Sequence, residues 1–272
     1  MFTPILILTA IGLFIAFAVA IIVRYFGMPE DPLKQQITDL MPGANCGGCG
    51  FAGCGAYATA MAEGKAKPGK CPSMNSENAA KIAELLGVTV EKSEPMVAIV
   101  CCSGDDNTAS RNAFYNGVNN CRDAMQIDAG TKSCSYGCLG LGSCANACPF
   151  HAIEMTPQHL AVVHPELCTG CGKCVDTCPK NIIKLVPRSA KIHVFCSSPL
   201  RGAEKRKVCK SGCIGCQKCK KAAEEGQIEM NGSLAVINYE NPPAAEIASQ
   251  CPTHVLRSNE TTPKKSKEET NE

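Results

Sequence analysis

The sequence predicts an α+β protein in which one transmembrane helix carries a row of small, cysteine-bound units mixing short helices with short strands. Three observations predict this: an uncharged run of 19 residues from Ile5 to Val23, 21 cysteines gathered in tight Gly-flanked groups within 272 residues, and a stretch of cysteines and strand-like text that returns 75 residues downstream.

Composition narrows what the units are. A formal charge of +2 gives no basic surface of the kind nucleic acids need, so none is expected as a partner. With no Trp and few large apolar side chains, the Cys-rich parts cannot each build a sufficient apolar core, and a crosslinker must hold them. Disulfides fit poorly: an odd number of cysteines cannot pair completely within one chain, and C-x2-C groups beside glycine are not a secreted framework. Zinc and iron–sulfur clusters remain, and spacing decides between them.

Residues 1–26 read as the membrane anchor. At 1.5 Å per residue the uncharged run crosses a hydrocarbon layer of ~30 Å. A cleaved signal peptide is the competing reading, but no basic residue precedes the run and no small-x-small site follows it before Arg24-Tyr25. Arg24 and Lys34 lie just beyond, which by the positive-inside bias puts the rest of the chain in the cytoplasm, a reducing compartment suited to free thiolates.

Residues 33–92 form the first module, with Cys46-x2-Cys49-x4-Cys54-x16-Cys71. Those four thiolates close one [4Fe–4S] cluster, and the glycines at 47, 48, 50, 53 and 55 let backbone N–H groups approach sulfur more closely than zinc requires. A helix is expected over Ala56 to Ala62 and a second one capped by Asn75 or Ser76 and ending before Gly87. Residues 93–133 are then a strand-containing linker region, with the strand at Met96 to Val100.

Residues 134–190 carry the most specific text. "CTGCGKCVDTCPK" from Cys168 is an unbroken C-x2-C-x2-C-x3-C-P, the bacterial ferredoxin pattern, in which the Cys before Pro ligates the other cluster. Crossing therefore groups Cys148 with Cys168, Cys171 and Cys174, and sends Cys178 to the upstream group of Cys138 and Cys144. That group has Leu141 in its middle slot, and Cys134 is the nearest replacement ligand. Ile153 to Met155 and Leu160 to Val163 predict the hairpin beneath.

Residues 191–257 repeat this unit in degenerate form: Cys134, Cys138 and Cys144 return as Cys209, Cys213 and Cys219, and Ile153-Glu-Met155 returns as Ile228-Glu-Met230. Ala223, Asn241, Ala244 and Ile247 occupy four ligand positions that crossing assigns to one cluster, so that cluster is lost as a set. The retained set is Cys213, Cys216, Cys219 and Cys251, with Cys209 as the alternative to Cys251. Four clusters use 16 cysteines and leave Cys101, Cys102, Cys121, Cys196 and Cys209. Cys102 and Cys196 both follow strand-like text and precede Ser, which leaves open extra ligands or buried structural thiols, the commoner fate of spare cysteines. The tail 258–272 is polar and expected to be disordered.

No phosphate-cradling glycine motif is present, so no flavin or nucleotide is expected on this chain, and no general-base constellation gives a catalytic residue. The anchor, the C-x2-C-x4-C-x16-C module, "CSYGCLGLGSCANACP" and "CTGCGKCVDTCP" together resemble the B subunit of the Rnf complex, the ion-translocating ferredoxin:NAD oxidoreductase of bacterial membranes. The resemblance implies two bacterial-ferredoxin-like units, reduced soluble ferredoxin as electron donor, and other membrane and peripheral subunits as partners. It further implies a place in the bacterial cytoplasmic membrane with the clusters on the cytoplasmic side. A membrane-tethered polyferredoxin serving another reductase, or a scaffold with purely structural clusters, is the alternative.

Overall fold

In the computed structural model, residues 2–26, 31–89, 94–128 and 130–258 are described. The expected tail beyond 258 and parts of the two expected links, at 29–32 and 89–95, lie outside the described residues.

Helix α1 (Phe2–Phe26) is apolar all round, and none of the window Phe2–Ile22, of mean hydropathy 3.0, packs against the rest of the chain. A helix with no polar face has its stable place in lipid, and its 25 residues reach about 37 Å, more than a hydrocarbon core. The hydroxyl of Thr9 donates to the Ile5 and Leu6 carbonyls, each at 3.0 Å, and so makes no demand on the surroundings.

Three helices form the N-terminal module. In α2 (Pro32–Leu40), Pro stands at the first position and Asp31 caps the Leu33 N–H at 2.9 Å. α3 (Cys54–Ala62) and α4 (Ser76–Leu86) follow. Asn75, not Ser76, caps α4 by accepting from the Asn78 N–H at 2.7 Å, and Gly87 ends it in the left-handed conformation. Ile37, Tyr57, Met61 and Ile82 meet between the helices and are fully buried.

The central unit runs β1 (Met96–Val100), α5 (Cys121–Gln126), α6 (Ser143–Asn146), the hairpin β2 (Ile153–Met155) and β3 (Ala161–Val163), α7 (Lys173–Thr177) and β4 (Ile183–Pro187). β1 pairs antiparallel with β4, Val100 facing Ile183. The segment expected to be a linker therefore supplies a strand to the unit, and Val97, Ile99 and Val100 share one core with Ile153, Ile182 and Val186. Expected from the repeat, the C-terminal unit has the same plan: β5 (His193–Val194), α8 (Gly202–Val208), α9 (Lys218–Ala222), the hairpin β6 (Ile228–Asn231) and β7 (Leu234–Ile237), a 3-10 turn at Ala245–Gln250 and β8 (Leu256–Arg257). β5 pairs with β8 as β1 does with β4. Strand-end bonds match too, Cys101 N to Ile182 O at 2.7 Å and Phe195 N to Val255 O at 2.8 Å.

Gly170 shows how tightly β1 is held against the cysteine loops. At φ +71° a Cβ added there would lie 2.5 Å from the Met96 carbonyl oxygen, which is backbone and cannot yield. Gly170→Ala is expected to cost about 3 kcal/mol or more, since left-handed strain and overlap act together, and chemical unfolding of the holo protein measures it.

Candidate iron–sulfur cluster sites

Burial pushes the Cys71 thiol above its usual range, and Cys49, Cys46 and Cys54 lie close enough to raise it further, which gathers the four sulfurs in one neighbourhood. Local chemistry brings them there. The Asn45 side chain accepts the Cys54 N–H at 2.8 Å where α3 begins. The Tyr57 hydroxyl donates to Lys67 O at 2.7 Å and accepts from Lys70 N at 3.2 Å, which fixes the chain's return to Cys71.

Two cavities open in the central unit. One is lined by Cys148, Cys168, Cys171 and Cys174, the set the crossing pattern groups. Backbone N–H groups point at it, Ala98 N to Cys168 Sγ at 3.3 Å and Ala152 N to Cys148 Sγ at 3.4 Å. The other is lined by Cys121, Cys138, Cys144 and Cys178. Cys134, expected there, lies between the two units near Cys196 and Cys209 instead. Cys121 lines the cavity where Cys134 was expected: Asn120 caps α5 by accepting from Arg122 N at 2.9 Å, and Cys121 N donates to Ser143 Oγ at 2.8 Å at the head of α6. Only Asn120, a cap residue one position ahead, hinted at this in the sequence.

In the C-terminal unit a cavity is lined by Cys213, Cys216, Cys219 and Cys251, while Cys209 lies outside it. Burial raises the Cys251 thiol, but backbone and hydroxyl groups of Leu256, Thr253 and Val255 outweigh it and hold the thiol below its usual range. Where the repeat has lost ligands, hydrocarbon fills the space: Ile247 is buried with Ile192, Phe195, Ile228 and Ile237, and Ala223 packs against them.

The donor chemistry fits multi-iron clusters. A single zinc needs its sulfurs about 3.8 Å apart around one point, as Zn–S bonds of ~2.3 Å dictate. Among the described residues no three thiol, imidazole or carboxylate groups converge in that way; the thiols stand around cavities. Burial pushes Cys144 and Cys174 up to about 12, so as bare thiolates they are costly, and bonding to iron removes that cost.

The sites also adjoin. A Cβ on Gly48 would lie 2.7 Å from Cys171 O, and Ser73 Oγ donates to Thr169 Oγ1 at 3.1 Å, so the first module's loop rests on the Cys168–Cys174 loop. Cys174 and Cys178 both bear on Cys144.

A helix long and apolar enough to cross a membrane, joined to units rich in clustered thiols, defines a membrane-associated iron–sulfur protein. The family model "Putative Fe-S cluster" matches residues 41–73, and "4Fe-4S dicluster domain" matches residues 133–182. The B subunit of an ion-translocating oxidoreductase complex from Methanosarcina acetivorans is 43% identical over 234 residues, 86% of this chain and 89% of the relative. The B subunit of the proton-translocating ferredoxin:NAD(+) oxidoreductase complex of Clostridium ljungdahlii is 35% identical, over 92% of this chain and 90% of its own. Its counterpart in the Na(+)-translocating ferredoxin:NAD(+) oxidoreductase complex of Acetobacterium woodii is 38% identical, over 93% of this chain and 76% of its own. The chain belongs to the family of B subunits of ion-translocating oxidoreductase complexes, and its part there is that of an iron–sulfur electron-transfer subunit.

Proposed function

We propose that this chain takes electrons from reduced soluble ferredoxin at the cytoplasmic face of the membrane and passes them through [4Fe–4S] clusters to other subunits of a ferredoxin:NAD oxidoreductase complex. The central and C-terminal units are ferredoxin-like. Their sites are Cys46, Cys49, Cys54 and Cys71 in the module before them; Cys121, Cys138, Cys144 and Cys178; Cys148, Cys168, Cys171 and Cys174; and Cys213, Cys216, Cys219 and Cys251.

Adjacency carries this reading. A cluster supplies a one-electron carrier when bound, and hopping requires that carriers neighbour one another. The first site touches the Cys148 set through Gly48 and Cys171, and that set touches the Cys121 set through Cys174 and Cys144. Purely structural clusters have no need of such contact. Arg24 in the last turn of α1 supports the cytoplasmic side. α1 carries no acidic residue to bind a cation within the membrane, so the ion is moved by partner subunits.

Titration of the anaerobically purified full chain in detergent with reduced ferredoxin tests it, followed by EPR. The expected result is stepwise reduction with spin coupling between neighbouring clusters. Clusters that accept electrons from dithionite but not from ferredoxin would sink the relay and favour a scaffold.

A further inference from the structure

We propose that Cys102, Cys134, Cys196 and Cys209 hold a further [4Fe–4S] cluster, seated on a local two-fold axis between the central and C-terminal units. This deepens the relay reading and rests on it.

The four sulfurs line one cavity, a small hollow like the three that carry ferredoxin text. A Cβ on Gly104 would lie 3.2 Å from Cys209 Sγ and 3.8 Å from Cys102 Sγ, so a single small residue separates those two. Each unit gives one cysteine just after its first strand and one from the segment leading into its cysteine motif. Reciprocal bonds close the pair: Ser103 Oγ donates to Phe195 O at 2.7 Å, and Ser197 Oγ donates to Cys101 O at 2.8 Å. The symmetry reaches the lysines, with Lys132 Nζ donating to Gly104 O and Lys205 Nζ to Ser198 O, both at 2.7 Å. In each case the acceptor lies two residues beyond the ligand cysteine.

Those lysines are the second, independent observation. Lys132 is 3% exposed and Lys205 1%; among the described residues neither lies within ion-pair distance of a carboxylate, and only Lys132 has one nearby, Asp106, which it shares with Arg111 and His159. An ammonium buried without a paired countercharge is strongly disfavoured. Arg257 has a buried Nε with no hydrogen-bond partner and bears on Cys102; Ser198, which lines the cavity, has a buried hydroxyl with none. Lys205 and a spare hydroxyl line the cavity of the four thiols, while Lys132 reaches it through Gly104 and Arg257 stacks on Phe195 at its wall. Four thiolates outweigh the charge of a cubane core, so the loaded site is a net anion and supplies the missing countercharge. Each thiol gives up its proton on ligation, whereas two disulfides in the same place would be neutral and leave the lysines unmatched.

Position gives the site a role. Cys138 N, from the adjoining set, donates to Cys102 Sγ at 3.4 Å. On the other side Ser233 O accepts from both Lys205 Nζ at 3.5 Å and Cys213 Sγ at 3.6 Å, next to the C-terminal set. The cluster fills the step between the two units, and Cys101 is left as the one structural thiol.

The test is metal analysis of the full chain, purified anaerobically in detergent, with Mössbauer spectra. About 20 iron and 20 sulfide per chain are expected against about 16 for four clusters, and Cys102→Ala, Cys196→Ala or Cys209→Ala should each return about 16. A wild-type count near 16, variants that keep the full count, or zinc held in place of the lost iron would overturn this site and leave the four-cluster relay standing. Absence of iron and sulfide would remove both. Cys101→Ala should keep the full count, and a loss there in place of Cys102→Ala would overturn the quartet. Should the variants not accumulate, the wild-type count decides alone.

Discussion

Cys121→Ala should remove one whole cluster from the central unit, and a second substitution at Cys138 should remove nothing more. Both thiols line one cavity with Cys144 and Cys178, and a cubane that loses a ligand in a site shaped for four is lost as a unit. The informative variant is the pair Cys121→Ala with Cys134→Ala. Partners in one site are non-additive, whereas residues in separate sites add. The pair should therefore lose about 8 iron atoms per chain where each single variant loses about 4. Iron analysis beside the Cys121→Ala/Cys138→Ala pair reads this directly. If the pair with Cys134 loses no more than Cys121→Ala alone, Cys134 belongs to the same cluster, as the spacing by itself suggested.

The cavity lining departs from that spacing for a physical reason. The C-x2-C-x2-C-x3-C-P text is legible because its cysteines lie on one short loop and a helical turn, where local geometry dictates the interval, and Cys148, Cys168, Cys171 and Cys174 do line one cavity while Cys178 lines the next. The strand at Met96 to Val100, both hairpins, the cap at Gly87 and the apolar anchor were legible on the same grounds. Cys121 arrives from 17 residues before Cys138 by the packing of α5 against Ser143, a tertiary event with no interval to read. The Cys102 and Cys196 echo was visible, yet it gained meaning only when β1 and β5 proved to pair in the same way, with β4 and β8, each within its own unit. The loss of Cys at 223, 241, 244 and 247 was legible as a set, whereas its compensation by Ile247 packing depends on three-dimensional neighbours.

Anaerobic iron removal should unfold the central and C-terminal units while leaving α1 helical and the N-terminal module partly protected. The strands pair only two by two, and isolated two-stranded pairs are marginal in water. The helices from α5 to α9 have four to seven residues, too few to stand alone. Their cores include the cysteines themselves: Cys138, Cys144, Cys168 and Cys174 are buried members of the central core, and Cys213, Cys219 and Cys251 of the C-terminal one. Without iron these thiols surround cavities, and the cost of ordering the chain has little to oppose it. Structural metal binding in small domains contributes on the order of 10 kcal/mol to folding, so amide protection in β1, β4, β6 and β7 should fall by more than about a thousandfold. The N-terminal module differs because Ile37, Tyr57, Met61 and Ile82 give it an apolar core, each contributing roughly 1.5–3 kcal/mol of burial. Hydrogen exchange before and after chelation, with iron and sulfide restored as the reversibility control, separates the regions. Protected amides persisting in β1 and β4 of the stripped chain would show that packing alone holds the central unit. The clusters would then be cargo of a pre-formed fold, and the four-to-seven-residue helices would owe their order to the hairpins beneath them.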